Sequence, residues 1–505
     1  MSTRLPGPNN KMKNVQDIYP ATPMQELMLL HAIGQRHSDR LLSQFGFRLP
    51  ADVDVTALEA AWNAVVARHP MLRTAFVTRK VPAPLQVVRQ RVRVPFVVHD
   101  WRDHDDAKGA WEDLRGDDRR EGIDTQRAPL MRVTLVRMGD DDWRMLWTSH
   151  HLLMDRWCLA TLFEDLDRAY LDARRAGGEP VLPAAPSFRQ YVDWLSERDA
   201  GAALSYWRDT LRGFTSPTPL ASEQPDGTDV TASSITLDAS RLEALQSAAR
   251  RFAVSPVAVV QGALALVMAT RHGRGDVVFG AAAAARPPAI ANVESIVGSF
   301  VNNLPVRVRS RRDQTVREWL RTIAQSSFSR TDAEFVSPLA IAELATLPDN
   351  AALFDTLFVW LAPTSDRLPL DMTSLWDDMA TAYPLTVSVA ESSDALTLYV
   401  HQYASDPGHG ESLLGQLSDT LSAITACDAQ ATLATLLPAH VRDAPLDGAG
   451  DIATRDAITA DADVSEAEVV AGRFQIPEVL VRQLVEHQFA QALDLDAVAP
   501  DDDFF

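Results

Sequence analysis

Cysteine is nearly missing from this chain: 505 residues hold two, Cys158 and Cys427. Two thiols supply neither a disulfide framework nor a thiolate metal cluster, and reduced thiols in a cytoplasmic protein are the plain reading. Long apolar runs are missing too. None reaches the roughly 18 residues needed to span a bilayer, and the stretch from Met1 to Lys11 lacks the apolar centre of a signal peptide. Basic residues are in deficit, with 48 Lys and Arg against 68 Asp and Glu and a formal net charge of −20. A nucleic-acid binder would carry a basic patch, so that class is excluded, whereas acidity favours solubility without naming a partner. No short-period solenoid repeat occurs, and neither does a His-Glu-x-x-His zinc motif.

What is present is apolar residue in quantity: 46% of the chain, enough for sizeable cores. The length exceeds one ordinary core and predicts two or more domains. Val55 to His69 places apolar residues at helical spacing and stops before Pro70. Strand-like runs follow at Leu85–Val88, Val94–Val98 and Met131–Met138. The Pro/Ser/Thr-rich stretch Thr215–Thr228 reads as an internal linker. Beyond it lie an alanine-rich helix over Ser255–Arg271 and strands at Val277–Gly280, Leu385–Val389 and Leu396–His401. Periodicity alone thus predicts a mixed α/β chain of two domains. Arg442–Glu468, rich in Asp, Ala and Thr, reads as a flexible acidic linker. Ile476–Leu495 then shows a near-terminal proline and helical spacing.

The most informative segment is His150-His151-Leu-Leu-Met-Asp155. It sits where a bulky strand beginning at Trp143 gives way to an amphipathic helix. Side chains alternate across a strand, so the two histidines cannot both face one cavity. One is available as a base while its neighbour packs; a packed histidine is the ordinary alternative for either. Asp155, at the junction, would fix the local backbone through an arginine.

The segment resembles the HHxxxDG motif of nonribosomal peptide synthetase condensation domains, and further matches follow in that family's order. Asp17-Ile-Tyr-Pro-Ala-Thr-Pro-Met-Gln-Glu-Leu-Met-Leu-Leu-His31 is similar to its opening motif and Arg68-His-Pro-Met-Leu-Arg73-Thr-Ala-Phe76 to its second. Ser187-Phe-Arg-Gln-Tyr-Val-Asp-Trp194 and Tyr206-Trp-Arg-Asp-Thr-Leu211 resemble the stretch after the histidines. Val297-Gly-Ser-Phe-Val-Asn302-Asn303-Leu-Pro-Val-Arg307 resembles the fifth motif and Leu353-Phe-Asp-Thr-Leu-Phe358 a later one. The resemblance implies an α/β fold of two chloramphenicol-acetyltransferase-like subdomains, residues 15–183 and 184–440, set in a V with a central tunnel. An acidic linker over 441–473 and a truncated carrier-protein-like segment over 474–505 would follow. That segment stops just before the serine that bears phosphopantetheine, which reads as an excised piece of a longer protein, with a vestigial docking tail as the alternative.

The implied reaction is attack of an amine, or a hydroxyl, on a carrier-bound acyl or peptidyl thioester, giving an amide or ester. His151 would orient or deprotonate the acceptor, since imidazole titrates near neutral pH. His150 would serve structure. Asp155 would pair with Arg73, or else Arg68. Asn302 or Asn303 could donate to the developing oxyanion, with asparagine in a turn as the bland alternative. Arg156, Trp157 and Ser299 would border the tunnel. No intrinsic cofactor and no metal are needed; the phosphopantetheine arms of donor and acceptor carrier proteins are substrate tethers. No adenylation domain, complete carrier or thioesterase follows, so carriers must act in trans or belong to a larger synthetase.

Two departures from the pattern bear on function. Arg156 replaces the motif's glycine, and Leu361-Ala362 precedes Pro363 where relatives carry Asn-Tyr. Arginine beside a tunnel could narrow it, pair with an acid or contact an anionic substrate. This keeps open a second reading, a degenerate platform recruiting partner enzymes to carrier-bound peptides. An epimerase and a cyclising variant are weaker, the latter because paired aspartates would replace His150 and His151. The opening motif leans toward the subclass taking donors that end in a D-residue. His31, His69 and His401 lie in apolar stretches and read as packed.

Overall fold

The computed structural model describes residues 14–34, 41–79, 81–221, 231–348, 351–361, 369–379, 381–403 and 408–437. The acidic linker, the carrier-like segment and Ala362 lie outside them.

The first half runs β1 (Val15–Pro20), α1 (Pro23–Gly34), β2 (Leu42–Leu49), α2 (Val55–Arg68), β3 (Thr74–Val77) and β4 (Leu85–Arg89). It continues through β5 (Phe96–Asp100), α3 (Ala107–Glu121), β6 (Met131–Arg137), β7 (Trp143–His150) and α4 (Cys158–Ala176). The second half begins with α5 (Arg189–Ser196), α6 (Ala200–Leu211), β8 (Thr231–Leu237), α7 (Ala239–Phe252), α8 (Pro256–His272), β9 (Asp276–Ala284) and β10 (Val301–Arg309). After these come α9 (Val316–Ser329), α10 (Pro338–Ala342), β11 (Thr356–Trp360), β12 (Thr373–Met379), β13 (Leu385–Glu391), β14 (Leu396–Gln402) and α11 (Gly408–Ala426).

Local chemistry sets these boundaries. α2 starts where the Asp54 carboxylate accepts the Ala57 N–H at 3.0 Å, and it ends at His69 because Pro70 disfavours helical backbone before it. α8 has Ser255 as its cap, Pro256 in its first turn and Gly273 in the left-handed conformation just past its end. The strand expected at Val94–Val98 begins two residues later, at Phe96. Pro95 has no N–H to give a ladder, and only its carbonyl is used, by Val133 at 2.9 Å.

Three sheets result. A five-stranded sheet is ordered β12-β2-β7-β6-β5 and a six-stranded one β10-β9-β11-β13-β14-β8, with a small β1-β4-β3 sheet beside them. β7 is buried along most of its length because the five-stranded sheet is covered on both faces. Trp147 stacks with Phe45 and packs against Trp62 of α2 on one face. On the other, Thr148 donates to the Asp118 carboxylate of α3 at 2.6 Å.

The two halves interlock. β12 comes from the second half yet pairs antiparallel with β2, making β2 an interior strand. The first core likewise takes in Phe188, Ile290, Ile296, Phe300 and Leu370. The second core packs α7, α8, α9 and α11 against the six-stranded sheet. α8 is apolar all round because it is buried all round, and no single helix among the described residues is long and apolar enough to cross a membrane.

The stretch expected to be a linker at Thr215–Thr228 is, in its described part, a strap. Arg274 donates to the carbonyls of Ser216 and Pro217 at 3.2 and 2.6 Å. His272 and His409 bond the carbonyls of Pro219 and Leu220, each at 2.8 Å. The Asp355 carboxylate accepts from the backbone of Leu220 and Ala221 at 3.1 and 2.8 Å. A Pro/Ser/Thr-rich composition marks irregular backbone; it does not say whether neighbouring side chains will satisfy that backbone.

Candidate active site

The site is built where β7 ends. Its last residue, His150, pairs with Leu42 of β2, while Ser149 pairs with Ser43. Alternation therefore carries His151 to the Ser43 side and His150 to the other. The two histidines diverge accordingly. His150 is buried, and its Nδ1 accepts the Leu152 N–H at 3.1 Å. Burial, helped by the adjacent His151, pushes its pKa down to about 3, so the ring is neutral and its proton sits on Nε2. His151 is half-buried, and its Nε2 lies 3.4 Å from Ser43 Oγ.

The backbone around His151 is held closely. Its N–H donates to Leu41 at 2.9 Å, and the Leu153 N–H returns to the His150 carbonyl at 3.0 Å. The Leu152 carbonyl accepts from Gln25 Nε2 at 3.0 Å. Gln25, fully buried in α1, also donates to Gln86 Oε1 at 3.2 Å and accepts the Thr22 N–H at 2.9 Å. The opening motif thereby braces the histidine turn.

Asp155 reaches into the second half. Its Oδ1 accepts from Arg286 Nη2 at 2.9 Å and its Oδ2 from the Phe300 N–H at 3.1 Å, while its own N–H donates to Gly298 O at 3.3 Å. Arg286 also caps the carbonyls of Val293 and Ile296 at 2.8 and 3.0 Å. Its guanidinium carbon lies 4.1 Å from the centre of the Phe300 ring. Cys158 fills the space between, with Sγ 3.3 Å from both Asp155 Oδ1 and Gly298 O. Burial pushes that thiol up to about 12, which leaves it unreactive. Gly298 is needed here: a Cβ would lie 2.1 Å from the Phe188 ring.

The arginine opposite Asp155 is thus Arg286, which corrects the expected pairing with Arg73 or Arg68. Arg73 is buried and donates to Gln16 Oε1 at 2.7 Å and Val66 O at 3.2 Å, tying β1 to the end of α2. Arg68 pairs with Asp165 of α4 at 2.8 Å, and His69 bonds the same carboxylate at 2.8 Å. Both arginines belong to the packing of the first half. Arg286, by contrast, closes an apolar strand and precedes Pro287. A charge at that point was the available signal for it.

The oxyanion expectation meets a geometric obstacle at Asn302. Its amide nitrogen donates to the carbonyls of Glu334 and Val336 at 2.7 and 2.9 Å, so both hydrogens are committed to structure. Asn303, next along β10, faces oppositely and bonds the half-buried Tyr383 phenol. Ser299 is buried beside Gly298, and its hydroxyl has no hydrogen-bond partner among the described residues. Arg156 is half-buried and is not among the non-glycine residues with positive φ, so this position does not require glycine's backbone freedom. Trp157 is exposed at the head of α4, with the Arg286 guanidinium 5.8 Å from its ring centre. Among the described residues no group of His, Cys, Asp or Glu could hold a metal ion.

The candidate site is therefore a neutral buried histidine beside a half-buried one, with an aspartate–arginine pair joining the turn after them to the second α/β half. The condensation-domain family model matches residues 15–430, and the chain belongs to that family of nonribosomal peptide synthetase domains. Linear gramicidin synthase subunits C and B of Brevibacillus parabrevis are 32% and 33% identical to it, over 82% and 81% of the chain. Chondramide synthase of Chondromyces crocatus is 31% identical over 71%. The chain spans only 6%, 8% and 9% of these relatives' own lengths. Among solved structures, the starter condensation domain of rhizomide synthetase aligns with a TM-score of 0.69 at 18% identity, covering 82% of this chain and 96% of that one. The first condensation domain of the calcium-dependent antibiotic synthetase gives 0.67 at 18%, covering 83% and 99%. The fold is the one these domains share.

Proposed function

We propose that this chain joins a carrier-bound acyl or peptidyl thioester to an amine acceptor, forming an amide; a hydroxyl acceptor would give an ester. The acceptor nitrogen attacks the thioester carbonyl, the carbon–sulfur bond breaks, and the proton lost by the nitrogen balances the one gained by the departing thiolate. A thioester is already activated, so holding the reactants in line supplies most of what is needed, on the order of 7–11 kcal/mol in favourable cases. His151 orients the acceptor or takes its proton. The observation that carries this reading is the contrast within the pair: His150 is enclosed and neutral, His151 half-buried with Nε2 against a hydroxyl.

On this reading the halves, residues 15–183 and 184–440, are chloramphenicol-acetyltransferase-like, with a tunnel between them bordered by Arg156, Trp157 and Ser299. The substrate arms are phosphopantetheine groups on partner carriers, and the chain works within a cytoplasmic synthetase. Residues 474–505 are the start of a carrier. Asn302 is a structural residue, its donors being spent on Glu334 and Val336.

A specific observation favours a second reading. Arg156 puts a long cation directly after Asp155, where the family pattern has glycine, and a chain with that passage closed would be a binding platform. Intact-mass detection of carrier-bound product separates the two. Acyl-loaded donor carriers are mixed with amine acceptors and the wild-type chain, His151→Ala or Arg156→Gly. Product from wild type and none from His151→Ala supports condensation. Carrier binding without product, relieved by Arg156→Gly, supports the platform.

A further inference from the structure

We infer that Ser43 is a positioning residue for His151, an inference that rests on the condensation reading for its catalytic consequence though not for its geometry. Ser43 lies on β2, is buried, and sets its Oγ 3.4 Å from His151 Nε2. Its backbone is fixed from both sides: it pairs with Ser149 of β7 and with Met379 of β12. Cross-strand partners share a face, and His151 continues the Ser149 side of β7, so the hydroxyl and the imidazole meet diagonally across the ladder. β12, arriving from the second half, removes the freedom that β2 would have as an edge strand. The hydroxyl is therefore a fixed point against which the ring is aimed.

A hydroxyl suits this task because its oxygen is an acceptor. It accepts from Nε2–H in both the neutral and the protonated ring, which leaves the Nδ1 lone pair to take the acceptor's proton, and its own O–H is free to turn elsewhere. The ring keeps one orientation through both states. The long contact in the resting protein matches a bond that tightens when substrate is bound. Removing one such bond should cost about three- to tenfold in rate. The loss should fall on kcat and leave KM within about twofold, because the acceptor's binding contacts elsewhere remain.

The test compares Ser43→Ala and Ser43→Thr with wild type and His151→Ala. It uses the full chain with loaded carriers, and thermal unfolding establishes that each variant is folded. Side-chain 15N resonances of histidine give a readout independent of turnover. Expected are a fall in kcat for Ser43→Ala, recovery to within about threefold for Ser43→Thr, and a His151 Nε2 resonance that moves in the first variant and returns in the second. Wild-type kcat in Ser43→Ala, or equal impairment of both variants, overturns the inference. If the wild-type chain makes no product, the condensation reading fails by itself. The resonance then decides about Ser43: movement supports the contact, and no movement ends it.

Discussion

Arg286 Nη2 stands 2.9 Å from Asp155 Oδ1 across 131 residues of sequence, and both side chains are at most one-tenth exposed. This pair fastens the turn after the histidines to the segment that follows β9. Breaking a buried pair by removing one partner strands the other charge, at about 3–5 kcal/mol. Arg286→Ala should therefore lower the unfolding free energy by that order and depress activity. Arg286→Lys should recover little, because one ammonium cannot serve Asp155, Val293 and Ile296 together. In denaturant titrations, Asp155→Ala combined with Arg286→Ala should cost clearly less than the two single losses added. Simple additivity would mean the pair is not coupled.

The pKa of His150 gives the fold a dependence on acid with a definite sign. The folded ring stays neutral down to about 3, while the unfolded chain takes up a proton near 6.5. Between those values the unfolded state binds more protons, so stability falls as pH falls and the contribution is complete only above about 6.5. The slope from this one group is about 1.4 kcal/mol per pH unit. Urea titrations from pH 7 to 4 should show it, and His150→Gln should flatten the profile while lowering stability at pH 7. A wild-type profile as flat as the variant's would remove His150 from the account.

Much of this architecture is legible in the sequence where the signal is local. Asp54 and Pro70 bracket the apolar spacing of α2, and the run from Trp143 to His150 announces β7. That His150 and His151 face opposite ways follows from strand alternation and needs no tertiary information, whereas the choice of His151 as the working residue rests on the family resemblance. What escapes is long-range. Arg286 is marked only by its place after an apolar strand and before Pro287, and nothing near it or Asp155 says that the two meet. β12 escapes for the same reason: Thr373–Met379 is short and carries two adjacent aspartates, and its place beside β2 depends on a partner more than three hundred residues earlier. Ser43 carries no motif at all. The oxyanion expectation at Asn302 had a plausible residue type, but α9 and the turn after it bring two backbone carbonyls to the amide first.

Gly298 offers a test of how tightly the seam is packed. A methyl group there would meet the Phe188 ring at 2.1 Å, and that ring lies edge-on to Phe300 with centroids 5.1 Å apart. Overpacking of this kind costs about 1–3 kcal/mol. Gly298→Ala should lower the melting temperature and weaken the Asp155 contacts on either side of it. Adding Phe188→Leu should restore part of the loss by making room. Failure of the second change to help would point to the backbone bond between Asp155 and Gly298 rather than to the ring.

Gln25 makes the furthest-reaching prediction from the opening motif. Its amide is enclosed and joins α1, β4 and the Leu152 carbonyl next to His151. Gln25→Leu keeps the volume but leaves the Leu152 carbonyl and the Gln86 oxygen without that donor, at about 1–3 kcal/mol for buried groups. Gln25→Glu keeps the Thr22 contact while replacing the donor with an acceptor opposite two oxygens, so it should be the worse of the two despite its closer shape. If Gln25 serves packing alone, activity should fall only as far as folded protein is lost. If it holds the histidine turn, kcat measured per folded molecule should drop in both variants, with KM less affected. Turnover corrected for the folded fraction by circular dichroism distinguishes these outcomes, and wild-type kcat per folded molecule in Gln25→Glu would rule out the bracing role.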